Sequence, residues 1–130
     1  KDGKWWLFAN LEDQDGSTWT ELHLYSSDNP LSDSWVPHPQ NPVVKDVRTA
    51  RPAGNILTRD GKLIRPSQDS SIRYGYATNF MSITKINESN YAETREYSFK
   101  PPPLRNILAI HTWNELEGLT VIDATLRRRK

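Results

Sequence analysis

The chain has 130 residues and a mass of 15.0 kDa, a length that predicts one domain. It contains no cysteine, which excludes disulfides, thiolate metal sites and a cysteine nucleophile, and no apolar run approaches the roughly 20 residues that cross a bilayer. The formal net charge is +1, but removing the basic block 127–130 leaves 13 basic against 16 acidic residues, a net charge of −3. A mildly acidic body argues against a nucleic-acid partner, and the block is interpreted as a solvated tail.

Turn residues punctuate the first half of the chain at short intervals, and the segments between them are β-branched and aromatic, which predicts an all-β fold. The first strand is predicted over 4–9 and the second over 19–26, where alternation implies two distinct faces. Segment 27–42 holds four prolines, so it is predicted to be an ordered loop pinned by Trp35. A strand this close to Lys1 argues against a signal peptide and favours a soluble, cytoplasmic protein.

The second half repeats the pattern with antiparallel hairpins. Turns are predicted at Asp60-Gly61 and Glu117-Gly118, a polar break at 67–71, and a stiff connector at 101–103, because each proline ring fixes φ and removes a donor. The strands they separate are predicted at 52–57, 62–65, within 72–86, 91–99, 107–113 and 119–126.

These elements group into units of the size of propeller blades, at about 1–45, 46–100 and 104–126, within one domain 1–126 followed by the tail 127–130. Antiparallel sheets are therefore predicted throughout. The pattern alone does not separate a propeller from a sandwich.

Two stretches carry a resemblance to known families. The stretch from Ser26-Ser27-Asp28 through Trp35 to His38-Pro39 and Asn41-Pro42-Val43 resembles a blade connection of five-bladed β-propeller glycosidases of the family 43 and family 32 type. A longer series is similar to the glycosidase-like propeller domain that accompanies plant glucosamine inositolphosphorylceramide transferases and some bacterial formyltransferase-like proteins; it comprises 50–54, 61–69, Tyr74-Gly75, 91–93 and 111–114.

The resemblance implies a partial propeller of about three blades, corresponding to the C-terminal part of such a domain. The blades that carry the catalytic acids in families 43 and 32 would lie upstream, and no position here matches those motifs. A last unit of two strands would leave an open edge, so self-association, as a dimer of two partial rings, is expected.

Glycoside hydrolysis needs two carboxyl groups across the scissile bond. The candidates here are Asp69, Glu93 and Asp123, although for each of them an ion pair with a nearby arginine is the simpler interpretation.

The candidate ligand-binding residues are Arg51, Arg65, Gln68, Asp69, Tyr74 and His111. Arg51 and Arg65 each precede a proline, and either is interpreted as a sugar ligand or as the partner of Asp69 in an ion pair between strands. Gln68, Asp69 and Tyr74 combine amide, carboxylate and aromatic groups, which suits a sugar site or a plain turn.

His111 lies in an apolar strand and is interpreted as a core histidine or as a group facing a propeller channel, where family 43 enzymes often have a histidine near a central ion. Three unpaired histidines predict no metal site, and no cofactor is expected.

The sequence therefore predicts a non-catalytic carbohydrate-binding or assembly module. The alternatives are a glycoside hydrolase or glycosyl-transfer enzyme whose site is completed by oligomerisation, and a folded fragment without a ligand.

Overall fold

Residues 1–12, 14–15, 17–101 and 106–127 are described by a computed structural model. Within these ranges the chain forms eleven β-strands and no helix, and every strand pairing is antiparallel, so the predicted all-β antiparallel fold is confirmed. No helix in this part of the chain could span a membrane. Of the predicted features, most of the 101–103 connector and most of the tail 127–130 lie outside the described residues.

The first sheet contains four strands. They are β1 (Trp5–Ala9), β2 (Glu21–Ser27), β3 (Val36–Pro37) and β4 (Val44–Lys45). β2 lies in the centre, and its alternation places Leu22 and Leu24 at 0% exposure on one face, as the sequence predicts.

The proline-rich segment after β2 is held to that strand by polar side chains as well as by its own turns. Asn41 accepts a hydrogen bond from the Leu24 amide at 2.8 Å and donates one to the Leu24 carbonyl at 2.9 Å. The buried His38 ring lies 3.0 Å from the carbonyl oxygen of Asn87. The indole Nε1 of Trp35, the predicted anchor, donates a hydrogen bond within its own loop, to the Ser32 carbonyl at 3.1 Å.

The second sheet has five strands and contacts both of the other sheets. The strands are β5 (Arg51–Pro52), β6 (Leu57–Arg59), β7 (Lys62–Asp69), β8 (Ala77–Ile86) and β9 (Tyr91–Phe99), with β5 and β6 both paired to β7. β7 runs through Ser67–Asp69, so the polar break predicted at 67–71 is wrong for its first three residues. Pro66, which has no amide hydrogen, lies opposite the gap between β5 and β6, where a central strand tolerates it.

The third sheet is the hairpin of β10 (Ile107–Leu116) and β11 (Leu119–Leu126). Its two-residue turn uses Glu117 and Gly118 at φ 48° and 82°, as expected for the tight turns that match strand twist. The arrangement of the three sheets as blades around a common propeller axis stays a prediction, and so do the predicted unit boundaries.

β10 packs against the second sheet through an apolar cluster and two glycines. Leu57, Ile64 and Phe80 are buried, and Phe99 and Trp113 pack on them. The Trp113 amide donates to the Ala53 carbonyl at 2.6 Å, and the Ile110 amide donates to the Gly75 carbonyl at 3.0 Å. Backbone contact this close leaves no room for a Cβ at Gly54 or Gly75.

We expect Gly54→Ala to reduce the free energy of unfolding by about 3 kcal/mol or more, because its Cβ would lie 1.9 Å from the carbonyl oxygen of Trp113. Gly118→Ala is the matched control: Gly118 also has a positive φ, of 82°, but nothing lies within 4 Å of the added carbon. Its cost should be about 1 to 2 kcal/mol. Urea unfolding measures both, and equal losses would show that β10 does not pack closely at Gly54.

Candidate functional site

The predicted site residues of β7 separate onto its two faces, because side chains alternate along a strand. Arg65 and Asp69 lie on one face and Gln68 on the other. The first face is covered by the backbone of residues 47–49, and the second meets β10. The two arginines that precede prolines consequently lie in different environments.

Arg65 forms a buried ion pair with Glu93 on β9. Its Nε and Nη2 lie 2.9 and 2.6 Å from the two carboxylate oxygens, and the two side chains are 1% and 6% exposed. The Tyr91 hydroxyl donates to the same carboxylate, and burial raises the pKa of that phenol. The partner is therefore Glu93, and the predicted pairing of Arg65 with Asp69 is wrong.

Asp69 has a local role in the turn that follows β7. Its carboxylate accepts hydrogen bonds from the Ser71 amide at 3.0 Å and the Ser71 hydroxyl at 2.6 Å. This is the turn interpretation that the sequence also allowed for this segment.

The segment 47–49 is held to the second sheet through three consecutive carbonyl groups. Those of Val47, Arg48 and Thr49 accept hydrogen bonds from the sheet. The donors are the Ser70 amide at 3.2 Å, Asn79 Nδ2 at 2.7 Å and Arg65 Nη2 at 2.7 Å. Because β5 begins two residues after Thr49, these bonds fix the start of the strand that carries Arg51.

A second group of side chains lies at the start of β5 and is called here the Arg51 cluster; it comprises Trp19, Arg51, Tyr74 and His111. The guanidinium carbon of Arg51 is 5.2 Å from the ring centre of Tyr74 and 5.6 Å from that of Trp19. The Tyr74 ring is tilted against Trp19 at 5.5 Å and against His111 at 4.5 Å. The cluster is therefore a row of rings with one cation over two of them.

Strand pairing brings these residues together from distant parts of the chain. Arg51 lies opposite Gln68 in the β5–β7 register, and Gln68 Nε2 donates to the His111 carbonyl at 3.4 Å. Gly75, with φ 65°, directs the turn that carries Tyr74 along β10. Four of the six predicted ligand-binding residues thus lie together: Arg51, Gln68, Tyr74 and His111.

The surface of the Arg51 cluster is open, and its positive charge has no ion-pair partner in the part of the chain that the structure describes. Trp19 is 36% exposed and Tyr74 is 40% exposed. Among the described residues no carboxylate lies within ion-pair distance of the half-buried Arg51. A cavity of about 430 Å³ beside the start of β2 includes none of the four cluster residues in its lining. Because the rings of Trp19 and Tyr74 are partly exposed, the cluster is a surface platform.

His111 and Asp123 form a pair at the edge of the cluster. His111 Nδ1 lies 2.9 Å from one Asp123 oxygen, and the other oxygen accepts from the amides of His111 at 3.0 Å and Thr112 at 2.7 Å. Burial opposes ionisation of Asp123, but these hydrogen bonds outweigh it and lower its pKa. Asp123 is therefore ionised at neutral pH and is unsuited to the role of general acid.

The three carboxylates proposed for catalysis are each held by a different set of groups: Asp69 by Ser71, Glu93 by Arg65 and Tyr91, and Asp123 by His111 and Thr112. Their catalytic role stays a prediction. Within the described ranges, no three histidine or carboxylate side chains converge into a metal-binding group.

Trp19 was missed as a site residue, although a signal for it was present. The alternation of β2, continued back to residue 19, sets Trp19 on the face opposite the buried Leu22 and Leu24. A large aromatic side chain on the open face of such a pattern is a candidate for ligand contact.

The comparisons with known proteins agree on one family. The sequence model of a family described as glucosamine inositolphosphorylceramide transferase 1, N-terminal, matches residues 1–115. Two proteins called glucosamine inositolphosphorylceramide transferase 1, from Oryza sativa subsp. japonica and subsp. indica, are each 36% identical over 95 residues. That match covers 71% of this chain and 13% of each relative, so the chain spans a small part of the relatives' length. No solved structure matches significantly.

We expect Glu93→Gln to destabilise the fold by about 3 kcal/mol, because it leaves the fully buried Arg65 without a counter-charge. The double variant R65M/E93L removes both charges and should recover at least half of that loss. Glu96→Gln is the control, since its Lys62 partner is 58% exposed and such a pair contributes little. Urea unfolding that gives equal values for Glu93→Gln and Glu96→Gln would contradict the structural role of this pair.

Proposed function

Because the chain belongs to the family of the N-terminal domain of glucosamine inositolphosphorylceramide transferase 1, we propose that it is a non-catalytic carbohydrate-binding module associated with glycosyl transfer. The binding surface is the Arg51 cluster. The observation that carries the proposal is the Arg51 guanidinium, which lies over two partly exposed aromatic rings and has no carboxylate partner among the described residues.

The chemistry of the Arg51 cluster suits a ring-shaped polyol. The apolar C–H face of such a ring packs on an aromatic side chain, as Trp19 and Tyr74 allow. A guanidinium offers parallel N–H donors to adjacent hydroxyl groups, and it binds phosphate or carboxylate more strongly. An anionic substituent on the ring would supply the counter-charge that no described carboxylate gives to Arg51.

The names of the relatives supply the probes that separate these ligand classes. They contain glucosamine, an amino sugar that is cationic at neutral pH, and inositolphosphorylceramide, whose headgroup is a phosphorylated polyol ring. Arg51 repels the first and attracts the second. We propose that the ligand is a polyol ring, such as inositol, that carries a phosphate or a carboxylate group.

We expect isothermal titration calorimetry to detect binding of myo-inositol 1-phosphate, weaker binding of myo-inositol and no binding of glucosamine. Arg51→Met should weaken phosphate binding by about tenfold or more, the loss of one hydrogen bond to a charged group. Arg95→Met is the charge-matched control on β9 and should leave affinity unchanged.

Circular dichroism must first show that both variants keep the β-sheet spectrum. Absence of binding to both inositol probes, or an equal loss of affinity in Arg95→Met, would overturn the proposal.

A catalytic function is the second candidate, and the ionised Asp123 beside the Arg51 cluster is the observation that favours it. An ionised carboxylate can act as nucleophile or base, with the required general acid supplied by a second copy of the chain.

We expect no release of nitrophenol from a panel of aryl glycosides, because Asp123 is ionised at neutral pH and cannot supply the general acid that hydrolysis requires. Turnover that disappears in Asp123→Asn and persists in Asp69→Asn would show that the protein is an enzyme and not a non-catalytic binding module. Turnover that both variants retain would indicate a contaminating activity, which a repeat purification through a different affinity step removes.

A further inference from the structure

β11 is an edge strand whose eight residues are all exposed. It pairs on one side with β10, and no described residue pairs with its outer side. Its apolar side chains are far from buried: Leu119, Val121 and Leu126 are 64%, 55% and 61% exposed. This is a large apolar surface for a single strand.

The usual protections of an edge are absent from β11. Soluble proteins block edge strands with prolines, lysines, bulges or short length. β11 has eight residues without proline, glycine or lysine, and Asp123 is its one charged residue. The register irregularities of the hairpin place the extra residues on β10, so β11 itself is continuous. The outer edge is therefore competent to accept another strand.

We propose that β11 pairs antiparallel with β11 of a second copy of this chain, about a two-fold axis that passes through Ile122. The resulting sheet would have four strands, with β10 of each copy outermost. The proposal is independent of the proposed ligand, and β11 lies outside the residues 1–115 that match the family.

Geometry restricts where the two-fold axis can lie. Residues directly opposite each other in an antiparallel sheet point their side chains to the same face. A two-fold axis perpendicular to the sheet therefore places a residue opposite its own copy, not opposite the copy of its sequence neighbour. The residues that flank the two-residue turn, Leu116 and Leu119, form a hydrogen-bonded pair, and such pairs alternate along the strands. Odd-numbered residues of β11 therefore bond inward, as the Arg127 amide does to the Asn106 carbonyl at 2.7 Å.

Even-numbered residues of β11 present their amide and carbonyl groups outward, and they form hydrogen-bonded pairs across the axis whether it passes through an even- or an odd-numbered residue. The side chains therefore decide the register. At Asp123, the carboxylates of the two copies would face each other, a repulsive pair, and at Val121, Glu117 would face the neutral Thr125 of the partner subunit. At Thr120, Glu117 would face Asp123 of the partner subunit, a repulsive pair. At Ala124, the turn residue Glu117 would extend beyond the partner strand. At Ile122, Glu117 faces Arg127 of the partner subunit at both ends, and the strands overlap along their full length.

The test of this interface begins with sedimentation velocity of the full chain at tens of micromolar, where we expect the mass of two copies. Ile122→Lys places two positive charges on the axis and should raise the dimer dissociation constant by about tenfold or more. Leu31→Lys is the matched control, because Leu31 is 91% exposed and distant in sequence from β11. It should leave the dimer unchanged.

Charge reversal tests the register itself. Glu117→Arg and Arg127→Glu each create like-charged pairs and should weaken the dimer, whereas the double variant E117R/R127E restores opposite charges and should restore association. A monomeric wild-type chain, a dimer indifferent to Ile122→Lys, or a double variant weaker than both single variants would overturn the proposal. Thermal unfolding followed by circular dichroism shows that each variant is folded.

Discussion

The buried ion pair of Arg65 and Glu93 is the constraint on which the packing of segment 47–49 and β5 on the second sheet depends. A guanidinium at 1% exposure needs both a counter-charge and acceptors for its remaining donors. Glu93 supplies the charge, and the Thr49 carbonyl supplies one acceptor. With the neighbouring carbonyls of residues 47 and 48 bonded to Ser70 and Asn79, the connection into β5 is held on the sheet, and the position of Arg51 follows from it.

Two Arg-Pro pairs with the same local sequence have different roles, and only the topology distinguishes them. Arg65 lies in the central strand β7, where β9 brings Glu93 across from 28 residues away. Arg51 lies in the two-residue strand β5 at the edge of the same sheet, and its neighbours are rings. Because the Arg65 guanidinium is buried, it needs the Glu93 carboxylate as a partner. The rings around Arg51 are partly exposed, which suits contact with a ligand.

Local patterns predicted the strands well, because alternation and turn residues act over a few positions. β9 was predicted with its observed bounds, and the hairpin turn at Gly118 follows from two residues. Sequence failed where a polar segment is buried: Ser67–Asp69 has the composition of a loop, but Asn79 and Gln68 find partners only after distant strands pair. The partner of Arg65 was missed for the same reason, whereas the contact of Tyr74 with His111 joins two residues that the sequence had already selected.

Arg65 has a structural role, whereas Arg51 is proposed to bind the ligand. A nuclear magnetic resonance titration of the nitrogen-15-labelled chain with myo-inositol 1-phosphate separates the two roles through the arginine Nε–H and tryptophan indole signals. We expect slow hydrogen exchange at Arg65 Nε with no ligand response, and shifts at Arg51 Nε and the Trp19 indole that follow one binding curve. Shifts at Arg65 with Arg51 and Trp19 unaffected would overturn this assignment of roles.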